Sequence, residues 1–237
     1  MLPILAQSER FIVVNKPAGM LVHKTDLAGD NEPDVLRTLR DQIGQQLYPV
    51  HRLDRATSGA MIFAKDSEYA QQIQSAMELA KKQYLLVCRG HILEPGTIDH
   101  PLKRIYDSPS DKRKRKRGIE QITQYQSAIT HYKPIATTTL DAAIDRYPTS
   151  RFSLVEATID TGRRHQIRRH FKHLSHPLIG CPKYGKSNYN RYFAENLNIS
   201  RLLLHAQQLS IDLPEHGNLE VTAPFDAQFE RAVALFN

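Results

Sequence analysis

Ser58-Gly59-Ala60-Met61-Ile62-Phe63-Ala64-Lys65 is an apolar run of strand length that carries no charge before its last residue. So short a run, apolar without alternation, suits a strand covered on both faces. Ahead of it stands a charged turn, His51-Arg52-Leu53-Asp54-Arg55-Ala56-Thr57. Behind it, Ser67 is read as the cap of a helix that carries Ala70, Ile73, Met77 and Ala80 at helical spacing and closes on Lys81-Lys82.

Working outward, residues 3–6 and 10–15 read as a hairpin turning at Gln7-Ser8-Glu9, and Asn15-Lys16-Pro17-Ala18-Gly19 breaks its second strand. Asp34 is placed to cap a helix with Val35, Leu36, Leu39 and Ile43 on one face. A strand is expected at 83–89, a long exposed loop at 94–118, and β-type alternation at 121–132 and 152–159. Thr161-Gly162 leads into a helix with Ile167, Phe171 and Leu174 facing inward. Residues 181–200 read as irregular, Arg201 to Leu213 as a strand, and Phe229, Val233 and Phe236 as a terminal helix. Strands and helices intermix without a regular βαβ alternation, so the expected class is α+β with a mixed sheet.

The 237 residues are 41% hydrophobic and 24% charged, which excludes wholesale disorder. Thirty-two Lys and Arg against 25 Asp and Glu give a formal charge of +7, which suits a polyanionic partner. The two cysteines, Cys88 and Cys181, form no C-x-x-C pair, so a disulfide framework or Cys-rich zinc site is not expected. The apolar start is too short and lacks the basic residues of a secretory signal, and no apolar run approaches a membrane span. A soluble, cytoplasmic protein is expected.

Three segments can carry chemistry. In the first, Arg52 and Arg55 flank Asp54, and neighbouring positive charge favours the ionised carboxylate that a metal-free nucleophile or general base requires. On spacing alone, an Asp satisfying backbone N–H groups in a turn explains the same residues. The second is Thr161-Gly162-Arg163-Arg164-His165-Gln166-Ile167-Arg168-Arg169-His170. As a helix it puts Arg164 and Arg168 on one face and Ile167 and Phe171 on another, so that a guanidinium can meet a carboxylate or phosphates. A solvated basic face is the competing reading. His165, His170, His173 and His176 have no acidic or Cys neighbour and no recognised ligand spacing, so no metal is expected. The third is Lys112-Arg113-Lys114-Arg115-Lys116-Arg117, read as an RNA-contacting run within an exposed basic loop over 107–118.

Taken in order, these segments resemble the RluA-type family of pseudouridine synthases. The resemblance rests on Asn15-Lys16-Pro17-Ala18-Gly19 with Val22-His23, His51-Arg52-Leu53-Asp54 with Thr57-Ser58-Gly59, and Lys82-Gln83-Tyr84 ahead of Val87-Cys88-Arg89-Gly90. It continues through Thr161–Arg168, His176-Pro177-Leu178-Ile179-Gly180 and Leu204-His205-Ala206, so it spans residues 11 to 206. It implies a mixed, largely antiparallel sheet with flanking helices and a central catalytic cleft. It implies Asp54 as the catalytic aspartate, Arg168 as its paired arginine, Tyr84 as the tyrosine packed against the target base, and Arg52 as the residue filling the gap left by a flipped nucleotide. His51, Arg55, Arg163, Arg164, His165 and Leu204 are the further substrate-binding candidates. Ala56 stands where the family usually has Pro, and Cys181 where Asp often follows Ile-Gly.

The implied reaction detaches uracil from C1′, rotates it and rejoins it through C5, with no cofactor. Within the family, Arg146-Tyr147-Pro148-Thr149-Ser150-Arg151 and Asp41-Gln42-Ile43-Gly44-Gln45 resemble a tRNA-modifying subgroup, which implies a uridine in the T-stem region, of the U65 type. A ribosomal RNA target, a non-catalytic RNA-binding protein and a metal-dependent hydrolase are the alternatives. The expected organisation is one catalytic domain over 1–237 without an N-terminal RNA-binding module, acting as a monomer with no obligate protein partner and no membrane contact.

Overall fold

A computed structural model describes residues 1–23, 32–105 and 123–237. The run at 112–117 and the whole of the basic loop expected at 107–118 lie outside the described residues. Among the described residues, strands are β1 (Ile4–Gln7), β2 (Phe11–Lys16), β3 (Tyr48–Pro49), β4 (Ser58–Ala64), β5 (Lys81–Arg89), β6 (Gly96–Asp99), β7 (Leu102–Lys103), β8 (Tyr125–Gln126), β9 (Ile129–Leu140), β10 (Ser150–Ile159), β11 (Leu204–Leu213) and β12 (Gly217–Thr222). The α-helices are α1 (Val35–Ile43), α2 (Ser67–Ala76), α3 (Gln166–His173), α4 (Ser187–Leu197) and α5 (Ala227–Val233).

The main sheet runs β1-β2-β4-β11-β5-β10-β9-β6, with β3 on β4 and β12 on β11, while β7 and β8 form a separate ribbon. Among the described residues every pairing of these strands is antiparallel except a short one in the middle, where His205 and Ala206 of β11 run parallel to Ser58 and Gly59 of β4. Beyond that pair, one edge of β11 changes partner and Gln208–Leu213 take up β12. The sheet therefore opens between β4 and β11 at its centre. The expectation of an α+β mixed, largely antiparallel sheet is met.

Alternation along the strands divides the core. Ile12, Val14, Met61, Phe63, Tyr84, Leu86 and Leu204 cover one face together with Val35 and Leu39 of α1 and Ile167 and Phe171 of α3. On the other face, Val13 and Ile62 meet Tyr69 and Ile73 of α2. On that same face, Leu85 and Val87 meet Phe193 of α4 and Phe229 of α5. β4 is buried at all seven positions, as its unbroken apolar run requires.

Several boundaries differ from the sequence expectation. Asp66 rather than Ser67 caps α2, its carboxylate accepting from Tyr69 N–H at 2.7 Å. The helix ends at Ala76, and Lys81 and Lys82 belong to β5, paired with Ser210 and Leu209. The stretch expected as loop from residue 94 contains β6 and β7, whose Ile98 and Leu102 are buried. β9 continues to Leu140 through Pro134, which sits beside a register shift at Leu154/Val155 where the ladder tolerates a missing N–H. The stretch 181–200 holds α4, buried on Tyr189 and Phe193 at helical spacing beneath a polar surface. The hairpin β1–β2, the Asp34-capped α1, β4 and the terminal helix stand where expected, the Asp34 carboxylate accepting from Arg37 N–H at 2.9 Å, while β11 begins at Leu204 rather than Arg201.

Candidate active site

Asp54 lies on the turn between β3 and β4, at the mouth of the opening between β4 and β11. Arg168, in the first turn of α3, donates from Nη1 to Asp54 Oδ2 at 2.9 Å and from Nε to Cys181 Sγ at 3.4 Å. The arginine side chain is 6% exposed and the carboxylate 22%. Asp54 thus has one face on a fixed cation and another open to the cleft. Arg55, expected to flank the carboxylate, turns away: its Nε donates to Gly19 O at 2.9 Å and its guanidinium pairs with Glu32.

The turn itself is tied from below. Lys16 is completely buried, and its Nζ donates to Pro17 O, Arg55 O and Thr57 O at 2.9, 3.0 and 2.8 Å. Three carbonyls consume all three ammonium hydrogens and fix the backbone on either side of Ala56. Burial, with Arg201 next, pulls the Lys16 ammonium down to about 7. Gly19 N–H donates to Arg55 O and Thr57 N–H to Asp54 O, closing the turn.

Behind the turn, Ser58 Oγ sits 2.6 Å from His205 Nδ1 and also accepts from Arg201 Nη2. His205 Nε2 meets Ala223 O at 3.0 Å, and a carbonyl can only accept, so Nε2 carries the proton and Nδ1 receives the serine hydroxyl. Gly59 has φ +120°, and a Cβ there would fall 2.2 Å from Ala206 O. The parallel contact that shapes the cleft therefore requires a glycine.

α3 is set by Gln166. Its amide donates to Ile129 O and Thr130 Oγ1, and its carbonyl oxygen accepts from Thr161 Oγ1 and Arg163 N–H. This locks the 161–163 turn to β9. The helix begins only at Gln166, so Arg164 precedes it and is exposed while Arg168 is buried; the expected shared face of these two arginines does not form. His165 adopts φ +56° and puts Nδ1 3.0 Å from Tyr184 Oη, with Nε2 3.9 Å from Asp54 Oδ2. Burial first, against Asp54 and with Arg168, pushes this imidazole down to about 4, so it is neutral near pH 7.

The cleft, of about 80 Å³, is walled by Arg52, Leu53, Asp54, Thr57, Tyr84, Ile159, Gly162, Arg163, His165, Gln166, Ile167, Arg168 and Leu204. Tyr84, on β5 opposite Ala206 and Ala157, lines the cleft and is 9% exposed. Burial, reinforced by Asp54, pushes its phenol well above the usual tyrosine range. Arg52 and Arg163 stand exposed at the rim. Of the candidates from sequence, His51, Arg55 and Arg164 are outside the wall. His51 Nε2 accepts from Ile62 N–H at 3.1 Å, and burial pushes it down to about 4. His170 is a structural tie, held by Thr130 Oγ1 and His100 O. Sequence reading missed Gln166, Cys181 and Tyr184 as parts of this arrangement, and it placed Lys16 in a strand break and a matched family segment without a role of its own.

The geometry juxtaposes a carboxylate, a paired guanidinium and a buried aromatic ring in a basic-rimmed cleft, which can receive a planar base attached to an anionic backbone. Residues 10–173 match the family model described as RNA pseudouridylate synthase. The chain is 41% identical over 239 residues to the tRNA pseudouridine synthase C of Haemophilus ducreyi, covering 100% of this chain and 95% of that one. It is 44% identical over 211 residues to the protein of that name from Vibrio vulnificus, covering 88% and 84%. Among solved structures, human RNA pseudouridylate synthase domain containing 1 superposes with a TM-score of 0.71 at 26% identity, over 95% of this chain and 84% of that one. Asp54, Tyr84 and Arg168 all fall inside the matched span, and the chain belongs to the RNA pseudouridylate synthase family.

Proposed function

We propose that this enzyme converts a uridine of tRNA, in the T-stem region and of the U65 type, to pseudouridine, with Asp54 as the catalytic carboxylate. The observation that carries the reading is the Arg168–Asp54 pair facing Tyr84 in one cleft. Full-length similarity to tRNA pseudouridine synthases C supports tRNA over ribosomal RNA.

The target nucleotide leaves its stack, since neither its glycosidic bond nor C5 can be reached inside a helix. Tyr84 then supports the base and Arg52 takes the vacated position. Arg163 at the rim contacts phosphates. Asp54, held by Arg168, serves the breaking of the C1′–N1 bond and the making of the C1′–C5 bond. His165 is neutral and lies within one side chain of the carboxylate, so it lines the pocket without adding charge.

The test is pseudouridine formation on tRNA by the wild type and by Asp54→Asn, with the modified position mapped. Wild-type product at one T-stem uridine and none from the variant are expected. Equal product from both proteins removes Asp54 from catalysis, and modification of ribosomal RNA alone replaces the substrate.

A further inference from the structure

The stretch Asp145-Arg146-Tyr147-Pro148-Thr149-Ser150-Arg151 runs from the loop after β9 into the first two residues of β10, and apart from the buried Ser150 neither the cleft nor the core uses it. It borders a groove of about 770 Å³, whose other walls include Arg89 at the end of β5 and Lys186 at the start of α4. Four cations, Arg89, Arg146, Arg151 and Lys186, face one carboxylate. Asp145 is shared by Lys186 Nζ at 3.2 Å and Arg89 Nη1 at 3.9 Å. No ion pair among the described residues reaches Arg146 or Arg151. Tyr147 is 58% exposed, with the Arg146 guanidinium 4.9 Å from its ring centre.

The groove is not an extension of the catalytic cleft. Tyr84 and Arg89 are five residues apart on β5, about 17 Å along a strand, and they alternate to opposite faces of the sheet. Tyr84 belongs with Leu86 and Cys88 on the cleft face. Arg89 follows Leu85 and Val87 on the face covered by α4 and α5.

We propose that this groove is a second RNA-binding surface, which holds a single-stranded stretch of the substrate away from the target uridine. This rests on the reading of tRNA as substrate. Excess cations lining a groove follow a phosphate backbone, and an exposed ring can stack only on a base that is itself unstacked. A duplex would present phosphates to the arginines and nothing to Tyr147. A single-stranded segment satisfies both.

The test compares intact tRNA with an isolated stem-loop that carries the target uridine, measuring Kd against salt concentration and kcat at saturating RNA. Arg146→Ala with Arg151→Ala should weaken intact tRNA by about tenfold and reduce its salt slope by about 1.5, from roughly 0.7–0.9 per phosphate contact. Tyr147→Ala should weaken it by about tenfold with the slope kept, within the range measured for base–aromatic stacking. Stem-loop affinity should not move in either variant. Unchanged Kd and slope on intact tRNA overturn the proposal, and so does an equal loss on both RNAs. Wild-type protein that binds tRNA but forms no pseudouridine in it defeats the substrate reading instead, while the binding comparisons still decide the groove.

Discussion

Arg168 donates to Asp54 across 114 residues of sequence at 2.9 Å, and its other donor edge is taken by Cys181. The guanidinium is thus oriented by two partners at once, as a planar fork allows and a lysine does not. Arg168→Lys should keep a positive charge yet lose the orientation, lowering kcat by about 100-fold, the scale of a misplacement of about 1 Å. Single-turnover pseudouridine formation at saturating RNA measures it. Wild-type kcat in this variant would show that charge alone suffices.

Cys181 is completely buried and gives the Arg168 Nε its acceptor. Cys181→Ala leaves a buried donor without a partner, at a cost of about 1–3 kcal/mol. The expected result is a kcat reduced by about tenfold, with Cys181→Ser restoring part of it because a hydroxyl also accepts. If alanine and serine behave alike, the thiol is only a space filler.

Tyr84 separates ring from hydroxyl. Its phenol is held protonated by burial and by Asp54, so it enters the reaction as a neutral group. Tyr84→Phe retains the ring and should leave RNA affinity within about threefold, placing any loss in kcat. Tyr84→Ala should lower affinity and also thermal stability, because a buried aromatic truncated to alanine costs about 3–5 kcal/mol. Equilibrium binding and thermal melts distinguish these outcomes, and weak binding by the phenylalanine variant would contradict the stacking role.

Much of this was legible in the residues, unevenly. The apolar run Ser58–Ala64 declared a doubly covered strand, and Asp34 declared the start of α1, because burial and capping leave local marks. Arg168 could be paired with Asp54 only through a family likeness, since nothing within either segment points 114 residues away. α4 was hidden because Asn, Ser and Tyr crowd the stretch, and packing of Tyr189 and Phe193 outweighs their weak propensity. Lys16 stood in the sequence only as part of a strand break and of a matched family segment, with no mark of its burial. Its burial is visible only once three carbonyls converge on it.

Gly59 tests the junction of the sheet. Any side chain there meets the Ala206 backbone, and φ +120° is strained for residues with a Cβ. Gly59→Ala should destabilise by about 3 kcal/mol or more, the range of a severe backbone clash. Chemical denaturation measures it. A variant as stable as wild type would mean that β4 and β11 separate without cost.

His205 gives the protein an acid limit. Burial, against the Ala223 carbonyl bond and with Arg201, holds its imidazole at about 4 rather than 6.5. Ser58 and Arg201 face one side of the ring, Ala223 the other, and Phe225 and Phe229 pack on it; Asp226, paired with Arg201, favours the charged form but is outweighed by burial. Between pH 6.5 and 4 the unfolded chain binds a proton here that the folded chain does not, and stability falls as pH falls. His51, also held at about 4, acts in the same direction. Each histidine contributes up to about 3 kcal/mol across that window, and nothing further is lost from them below it. Denaturation midpoints should decline steeply from pH 6.5 to 4. His205→Gln should flatten the decline while lowering stability at pH 7, where the Ser58 and Ala223 bonds are disturbed. A variant with the wild-type slope would place the acid sensitivity elsewhere.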